Sequence, residues 1–280
     1  MIWINGDMQQ DAAIGSDNRG LLLGDGVFET LLVTNQHPLF ITRHLARLYD
    51  SLDRLAMPPR FTQADIILAC DALIKAMQID AGRHVLRLTV TRTGGRGLDI
   101  SSEPQDQLWL MTLAPAAPAA EAYRLITATA CRPSQALTSH IKSTNYLENI
   151  LARQQAKEQG ADEALMLNEH GRLACAAAGN IFVQIDNSLL TPPIEEGALA
   201  GTRRQILLDH HQDITQACGL EVKTQAITQD MAQKCQQAFV TNSLQGCVPV
   251  TAIDDHNLVP IDIKKSPAMQ AILNCFSQAD

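Results

Sequence analysis

The sequence predicts an α+β protein of two domains. Short apolar runs of strand length alternate with segments whose apolar residues recur at helical spacing. A chain of 280 residues has room for two domains. Ala114-Pro115-Ala116-Ala117-Pro118-Ala119-Ala120 offers a place to join them, because small residues and prolines cannot build core. The expected division is therefore 1–113, a linker at 114–120, and 121–280.

In the first half, Ile2 to Ile4 runs into Asn5-Gly6, a strand entering a hairpin turn. Val27 to Val33 is a second apolar strand, followed by a turn from Asn35 to Pro38. A helix is expected from about Arg43 to Ala56, where Leu45, Leu48, Leu52 and Leu55 share one face, and Pro58-Pro59 stops it. Ala64 to Met77 is a further helix. Val85 to Thr91 alternates like a half-buried strand, and Leu108 to Leu113 is apolar on both faces. Between them, Gly94-Gly95-Arg96-Gly97 reads as a mobile loop.

After the linker come a strand near Tyr123 to Ala130 and a helix from about Asn145 to Gln159 with Gly160 at its C-cap. Strands are expected at Glu163 to Asn168, Asn180 to Ile185 and Ala238 to Asn242, with helices near Gly201 to His211 and Thr228 to Gln233.

Composition narrows the function. The net charge of −8 argues against non-specific nucleic-acid binding. No apolar run reaches the roughly 18 residues of a membrane span, and the N-terminus lacks the basic-then-apolar pattern of a signal peptide. The expected location is the cytoplasm. The 7 cysteines show no CxxC spacing, so neither a zinc site nor a disulfide framework is expected, and no metal is called for.

Several segments carry candidate chemistry. Lys142 lies in His140-Ile141-Lys142-Ser143-Thr144-Asn145-Tyr146-Leu147, just before a helix. Taken alone, it reads as a solvated surface lysine; an amine held there can also form a Schiff base with an aldehyde cofactor. Gly201-Thr202-Arg203-Arg204 opens a helix, either as an ordinary capped N-terminus or as an anion site of free N–H groups. Thr241-Asn242-Ser243-Leu244 is either a polar turn at a strand end or a set of phosphate donors. Arg47 reads equally as a snorkelling arginine and as a phosphate fork.

Taken in order along nearly the whole chain, these pieces resemble the fold-type-IV pyridoxal-phosphate enzymes. The matching runs are Gly24 to Thr30, His44 to Leu48, Lys142 to Leu147, Ala161 to Leu165, Gly179 to Phe182 and Gly201 to Arg204. The group holds D-amino-acid aminotransferases, branched-chain aminotransferases and 4-amino-4-deoxychorismate lyases. The resemblance implies a fold like that of D-amino-acid aminotransferase, with a smaller N-terminal α/β domain and a larger C-terminal mixed-sheet domain anchoring pyridoxal 5'-phosphate. It implies that Lys142 is the Schiff-base lysine and that Arg47 grips the cofactor phosphate. The N–H groups of Thr202 and Arg203, the Ser243 hydroxyl and the Leu244 N–H complete that phosphate cup. Tyr146 and Asn180 fall in the cofactor-binding set. Phe28 and Arg96 are the expected substrate contacts, Arg96 from a loop that reaches across a homodimer. Thr30 is a polar helper at the catalytic lysine, or a strand threonine facing solvent.

Within the group, Arg92 to Leu98, Thr241 to Leu244 and Phe28 resemble the lyase branch more than the aminotransferases. One position departs from the group. Five residues before Asn180, where these enzymes carry a glutamate against the pyridine nitrogen, this chain has Cys175. A thiol is a weak donor and supplies no carboxylate charge. The ring is then a weaker electron sink, which disfavours transamination more than an elimination that creates an aromatic ring. The expected activity is that of a lyase releasing pyruvate and 4-aminobenzoate from a small anionic substrate, 4-amino-4-deoxychorismate. An aminotransferase acting on D-amino or branched-chain amino acids, or a catalytically impaired homologue, is the alternative.

Overall fold

A computed structural model describes residues 1–95, 97–100, 103–259, 261 and 265–278. The chain forms two compact units. The first comprises Met1–Pro118 with Ile141–Asn145, and the second comprises Ala119–His140 with Tyr146–Asp280.

The first unit is a sheet backed by helices. Its strands are β1 (Ile2–Ile4), β2 (Asp7–Gln9), β3 (Gly26–Thr34), β4 (His37–Pro38), β5 (Arg83–Arg92) and β6 (Gln107–Pro115), in the order β2-β1-β6-β5-β3-β4. Its helices are α1 (Arg19–Leu23), α2 (Ile41–Arg54) and α3 (Gln63–Met77). Leu45, Leu48 and Leu52 of α2 and Ile66, Leu73 and Ile74 of α3 pack with Leu31, Leu86, Leu88 and Trp109 of the sheet in one core. Burying such side chains contributes about 1.5–3 kcal/mol each. Thr62 and Asp65 form a reciprocal capping box at the start of α3. β3 pairs with β5 over its full length, from Gly26 opposite Thr91 to Thr34 opposite Arg83. A Cβ on Gly26 would lie 2.6 Å from the Val90 carbonyl oxygen, so only glycine fits that close approach.

The second unit carries β7 (Tyr123–Thr127), β8 (Glu163–Leu167), β9 (Leu173–Ala176), β10 (Asn180–Ile185), β11 (Ser188–Thr191), β12 (Glu221–Thr224), β13 (Gln237–Asn242), β14 (Gly246–Ile253) and β15 (His256–Asn257). They form a mixed sheet in the order β12-β11-β10-β13-β14-β7-β8-β9, with β15 beside β14. The helices are α4 (Leu137–His140), α5 (Leu147–Glu158), α6 (Thr202–Asp209), α7 (His211–Cys218), α8 (Gln229–Gln233) and α9 (Pro267–Gln278).

Several boundaries differ from the sequence reading. β6 continues through Pro115, so the expected linker is shorter at its start: the Ala116 N–H bonds to the Arg83 carbonyl and extends the pairing. The helix expected from Gly201 to His211 is two helices meeting at His210, which caps both. The segment carrying Lys142 does not belong to the unit that the residues around it form. Backbone pairing draws Ile141–Asn145 onto β3 instead: Val27 bridges Ser143, and the Phe28 N–H donates to the Lys142 carbonyl at 2.9 Å.

Candidate cofactor and substrate site

In the first unit, the Lys142 backbone is fixed on both sides. The Thr144 N–H bonds the Gly26 carbonyl, the Thr144 hydroxyl bonds the Gly24 carbonyl at 2.8 Å, and the Asn145 amide donates to the same Gly24 carbonyl. This tether places the Lys142 Nζ over the Phe28 ring, 4.3 Å from its centroid. The Arg87 guanidinium lies over the same ring at 3.8 Å. Two cations share one aromatic ring, which the quadrupole of the ring tolerates and water alone would not organise. Thr30 sits two residues along β3, paired in register with Arg87. Beside Lys142, the Ser143 hydroxyl is buried and has no hydrogen-bond partner among the described residues.

Arg47 reaches β3 from α2. Its Nε and Nη2 donate to the two oxygens of Glu29 at 2.8 and 2.6 Å. His44, one turn earlier, sets Nδ1 2.7 Å from Glu29 Oε2. Burial opposes ionisation of Glu29, but the Arg47 charge and the hydrogen bonds from Arg47 and His44 outweigh it, and the carboxyl falls to about 2. Burial pushes His44 below its ordinary value despite Glu29, and the charges of Arg47 and Lys142 act in the same direction. The group is a buried carboxylate, a neutral imidazole and an oriented guanidinium.

In the second unit, α6 begins at Gly201, a cap without a side-chain acceptor over the first-turn N–H groups. A Cβ at Gly201 would fall 1.9 Å from Asn180 Oδ1. Asn180, buried on β10, donates to the Leu199 carbonyl at 2.8 Å and so supports the turn into α6. The Thr202 hydroxyl lies 3.4 Å from the Ser243 hydroxyl, and Arg203 Nη2 donates to the Ser243 carbonyl at 3.5 Å. Thr202, Arg203, Ser243 and Asn180, far apart in sequence, are therefore brought together. The buried Thr241 hydroxyl, on β13 opposite Asn180, has no hydrogen-bond partner among the described residues. A helix N-terminus without a side-chain cap, converging hydroxyls and a cradle that only glycine leaves open fit a phosphate group. The Leu244 N–H differs from expectation: it donates to Asn242 Oδ1 at 3.1 Å within its own turn. Tyr146 stands at the N-cap of α5.

Cys175 lies on β9 opposite Met166, packed with Ala128, Ala174 and Ala177. Burial pushes its thiol up, Arg132 draws it down and Glu163 adds to the rise, so the group is neutral near pH 7. Arg96 lies outside the described residues. Sequence reasoning did not single out Arg87, Glu29 or His44 as partners of these residues. The helical spacing of His44 and Arg47 was the available signal for His44; Glu29 and Arg87 gave none beyond strand alternation.

The model of the family described as amino-transferase class IV matches residues 26–253. The chain belongs to that family. Its cofactor is pyridoxal 5'-phosphate, and its fold is fold-type IV. It is 30% identical over 259 residues to a Methanocaldococcus jannaschii protein named "Putative branched-chain-amino-acid aminotransferase", covering 90% of this chain and 88% of that one. It is 26% identical over 263 residues to the aminodeoxychorismate lyase of Bacillus subtilis, covering 92% and 88%. The crystal structure of 4-amino-4-deoxychorismate lyase from Pseudomonas aeruginosa superposes with a TM-score of 0.83 at 27% identity, covering 99% of this chain and 98% of that one. No helix among the described residues is long and apolar enough to cross a membrane. Among the described residues, no His, Cys, Asp and Glu group is arranged to hold a metal ion.

Proposed function

We propose that this enzyme is a 4-amino-4-deoxychorismate lyase, releasing pyruvate and forming 4-aminobenzoate. The observation that carries the reading is Cys175: a buried, neutral thiol stands where the family resemblance calls for a carboxylate. Pyridoxal phosphate, when bound, supplies an aldehyde that condenses with an amine and a ring that draws electrons from the attached carbon. In our reading Lys142 is the condensing amine. Arg47, Thr202, Arg203 and Ser243 hold the phosphate, and Tyr146 and Asn180 complete the cofactor set, with Cys175 at the ring nitrogen.

The Lys142 amine, once free, removes the hydrogen from the ring carbon that bears the substrate amine. The enolpyruvyl carbon–oxygen bond then breaks and the ring becomes aromatic. The proton passes to the departing enolpyruvate, which becomes pyruvate, so the substrate divides into the two products without another reactant. Phe28 forms the apolar floor under the Lys142 amine. Arg87, over the same ring, and Arg96 pair with substrate carboxylates, and Thr30 serves as a polar helper near the amine.

The lyase relatives from B. subtilis and P. aeruginosa support this assignment. The 30% identity to the archaeal relative favours a second reading, a branched-chain or D-amino-acid aminotransferase. Homodimer formation and a cytoplasmic location belong to the same proposal. The exposed apolar stripe of Leu147, Ile150 and Leu151 on α5 supports the former. Adding amino acids alone to the holoenzyme separates the two activities. A lyase leaves the visible absorbance unchanged, whereas an aminotransferase converts the bound cofactor to its amine form.

A further inference from the structure

The side chain of Arg203 ties three elements of the second unit together. Arg203 stands in the first turn of α6 and is buried. Its Nη2 donates to the Ser243 carbonyl at 3.5 Å, in the turn between β13 and β14. Its guanidinium carbon lies over the Phe276 ring of α9, 4.6 Å from the centroid. The family resemblance assigns a role only to the backbone N–H of residue 203, so this use of the side chain is a separate feature of the chain.

Both of these partners are held in place. In the turn, Asn242 Oδ1 accepts from the Leu244 N–H at 3.1 Å and from the Gln245 N–H at 2.8 Å. This closure of a side chain onto its own backbone presents the Ser243 carbonyl in one orientation. Gly246 ends the turn at a φ of +75°, a conformation that favours glycine. On α9, Met269, Ile272 and Phe276 recur at helical spacing and are buried, and the helix packs on α6 and α7. The Phe276 ring is therefore kept against the first turn of α6. Its quadrupole attracts the guanidinium, and the attraction is stronger where water is excluded, as it is around this buried arginine.

We propose that Phe276 is a positioning residue: through Arg203 it holds the α6 N-terminus and the Ser243 turn together, and thereby sets the affinity for the phosphate of pyridoxal phosphate. The inference rests on the phosphate-holding role proposed above for Thr202, Arg203 and Ser243. The Thr202 and Ser243 hydroxyls come from the two elements that Arg203 joins, and they lie 3.4 Å apart. A phosphate held between them needs both elements at one spacing, because a small displacement of either lengthens half of its contacts. In this arrangement α9 acts on the phosphate through Arg203 rather than by touching it.

The test compares the cofactor-free full chain with its Phe276→Leu variant, which keeps an apolar side chain and removes the ring quadrupole. Phe276→Met takes its place should the leucine variant not fold. Each protein is titrated with pyridoxal 5'-phosphate and with phosphate-free pyridoxal, followed by absorbance, and with inorganic phosphate as a competitor. In Phe276→Leu the Kd for pyridoxal phosphate is expected to rise roughly tenfold, and the inhibition constant of inorganic phosphate with it. The Kd for pyridoxal is expected to stay within about twofold, a split that general destabilisation does not produce. In an Arg203→Met background, Phe276→Leu should have no further effect, because the ring acts through the guanidinium. An unchanged affinity for pyridoxal phosphate in Phe276→Leu overturns the proposal. An equal loss for both ligands overturns it as well, as does a full loss that persists in the Arg203→Met background. Wild type that binds pyridoxal as tightly as pyridoxal phosphate contradicts the phosphate site itself, and the proposal falls with it.

Discussion

Both oxygens of Glu29 bind the Arg47 guanidinium, at 2.8 and 2.6 Å. Glu29 is buried against His44, so the partly buried arginine cannot rotate without leaving a carboxylate uncompensated. A guanidinium aimed in this way binds an anion without first losing rotamer freedom.

Glu29→Gln should therefore weaken cofactor binding by roughly tenfold to a hundredfold, the usual effect of losing a charge-assisted contact. Titrating cofactor-free protein with pyridoxal phosphate and following absorbance measures it. Wild-type affinity in the variant would show that Arg47 does not hold the phosphate.

The same carboxylate predicts an acid limb of stability. Glu29 is lowered from 4.5 to about 2, so the folded state favours its ionised form more than the unfolded chain does. That contribution is complete above about pH 4.5, diminishes below it, and is lost as pH falls through about 2. It amounts to on the order of 3 kcal/mol. Urea midpoints of wild type and Glu29→Gln should converge across this window; curves that stay parallel would contradict the assignment.

Gly201→Ala tests the second unit. The added methyl would meet Asn180 Oδ1, displacing either the amide or the first turn of α6. Cofactor affinity should fall roughly tenfold, while the circular dichroism of the folded chain persists. Unchanged affinity would remove the α6 N-terminus from the phosphate site.

How much of this was legible in the sequence depends on the range of the contacts. The α2 core face follows from Leu45, Leu48 and Leu52 at helical spacing, which one helix determines locally. The convergence of Thr202 and Ser243 followed only from family resemblance, since each segment alone also reads as an ordinary cap or turn. The placement of Ile141–Asn145 on β3 was not legible, because a bridge between Val27 and Ser143 leaves no local pattern. Arg87 reads as a solvated strand residue until its register with Thr30 and its place over Phe28 are known. Glu29 stood in a recognised run, but a buried carboxylate gains meaning only from partners on another element.

Cys175→Glu tests the electronic argument. A carboxylate there would find the Arg132 charge nearby, which already acts on the thiol. The variant should gain conversion of the bound cofactor to its amine form when amino acid is added alone, a reaction the proposed lyase activity does not include. Identical spectra for both proteins would show that residue 175 does not tune the ring.

Lys142 is proposed to drive pyruvate release from 4-amino-4-deoxychorismate. The most direct measurement is pyruvate formation from freshly generated substrate by wild type and Lys142→Ala, with the visible spectrum recorded alongside. Stoichiometric pyruvate is expected from wild type, and loss of both pyruvate and the protein-bound cofactor band in the variant. Pyruvate release by Lys142→Ala at the wild-type rate, or none from wild type carrying its cofactor, would contradict this role of Lys142.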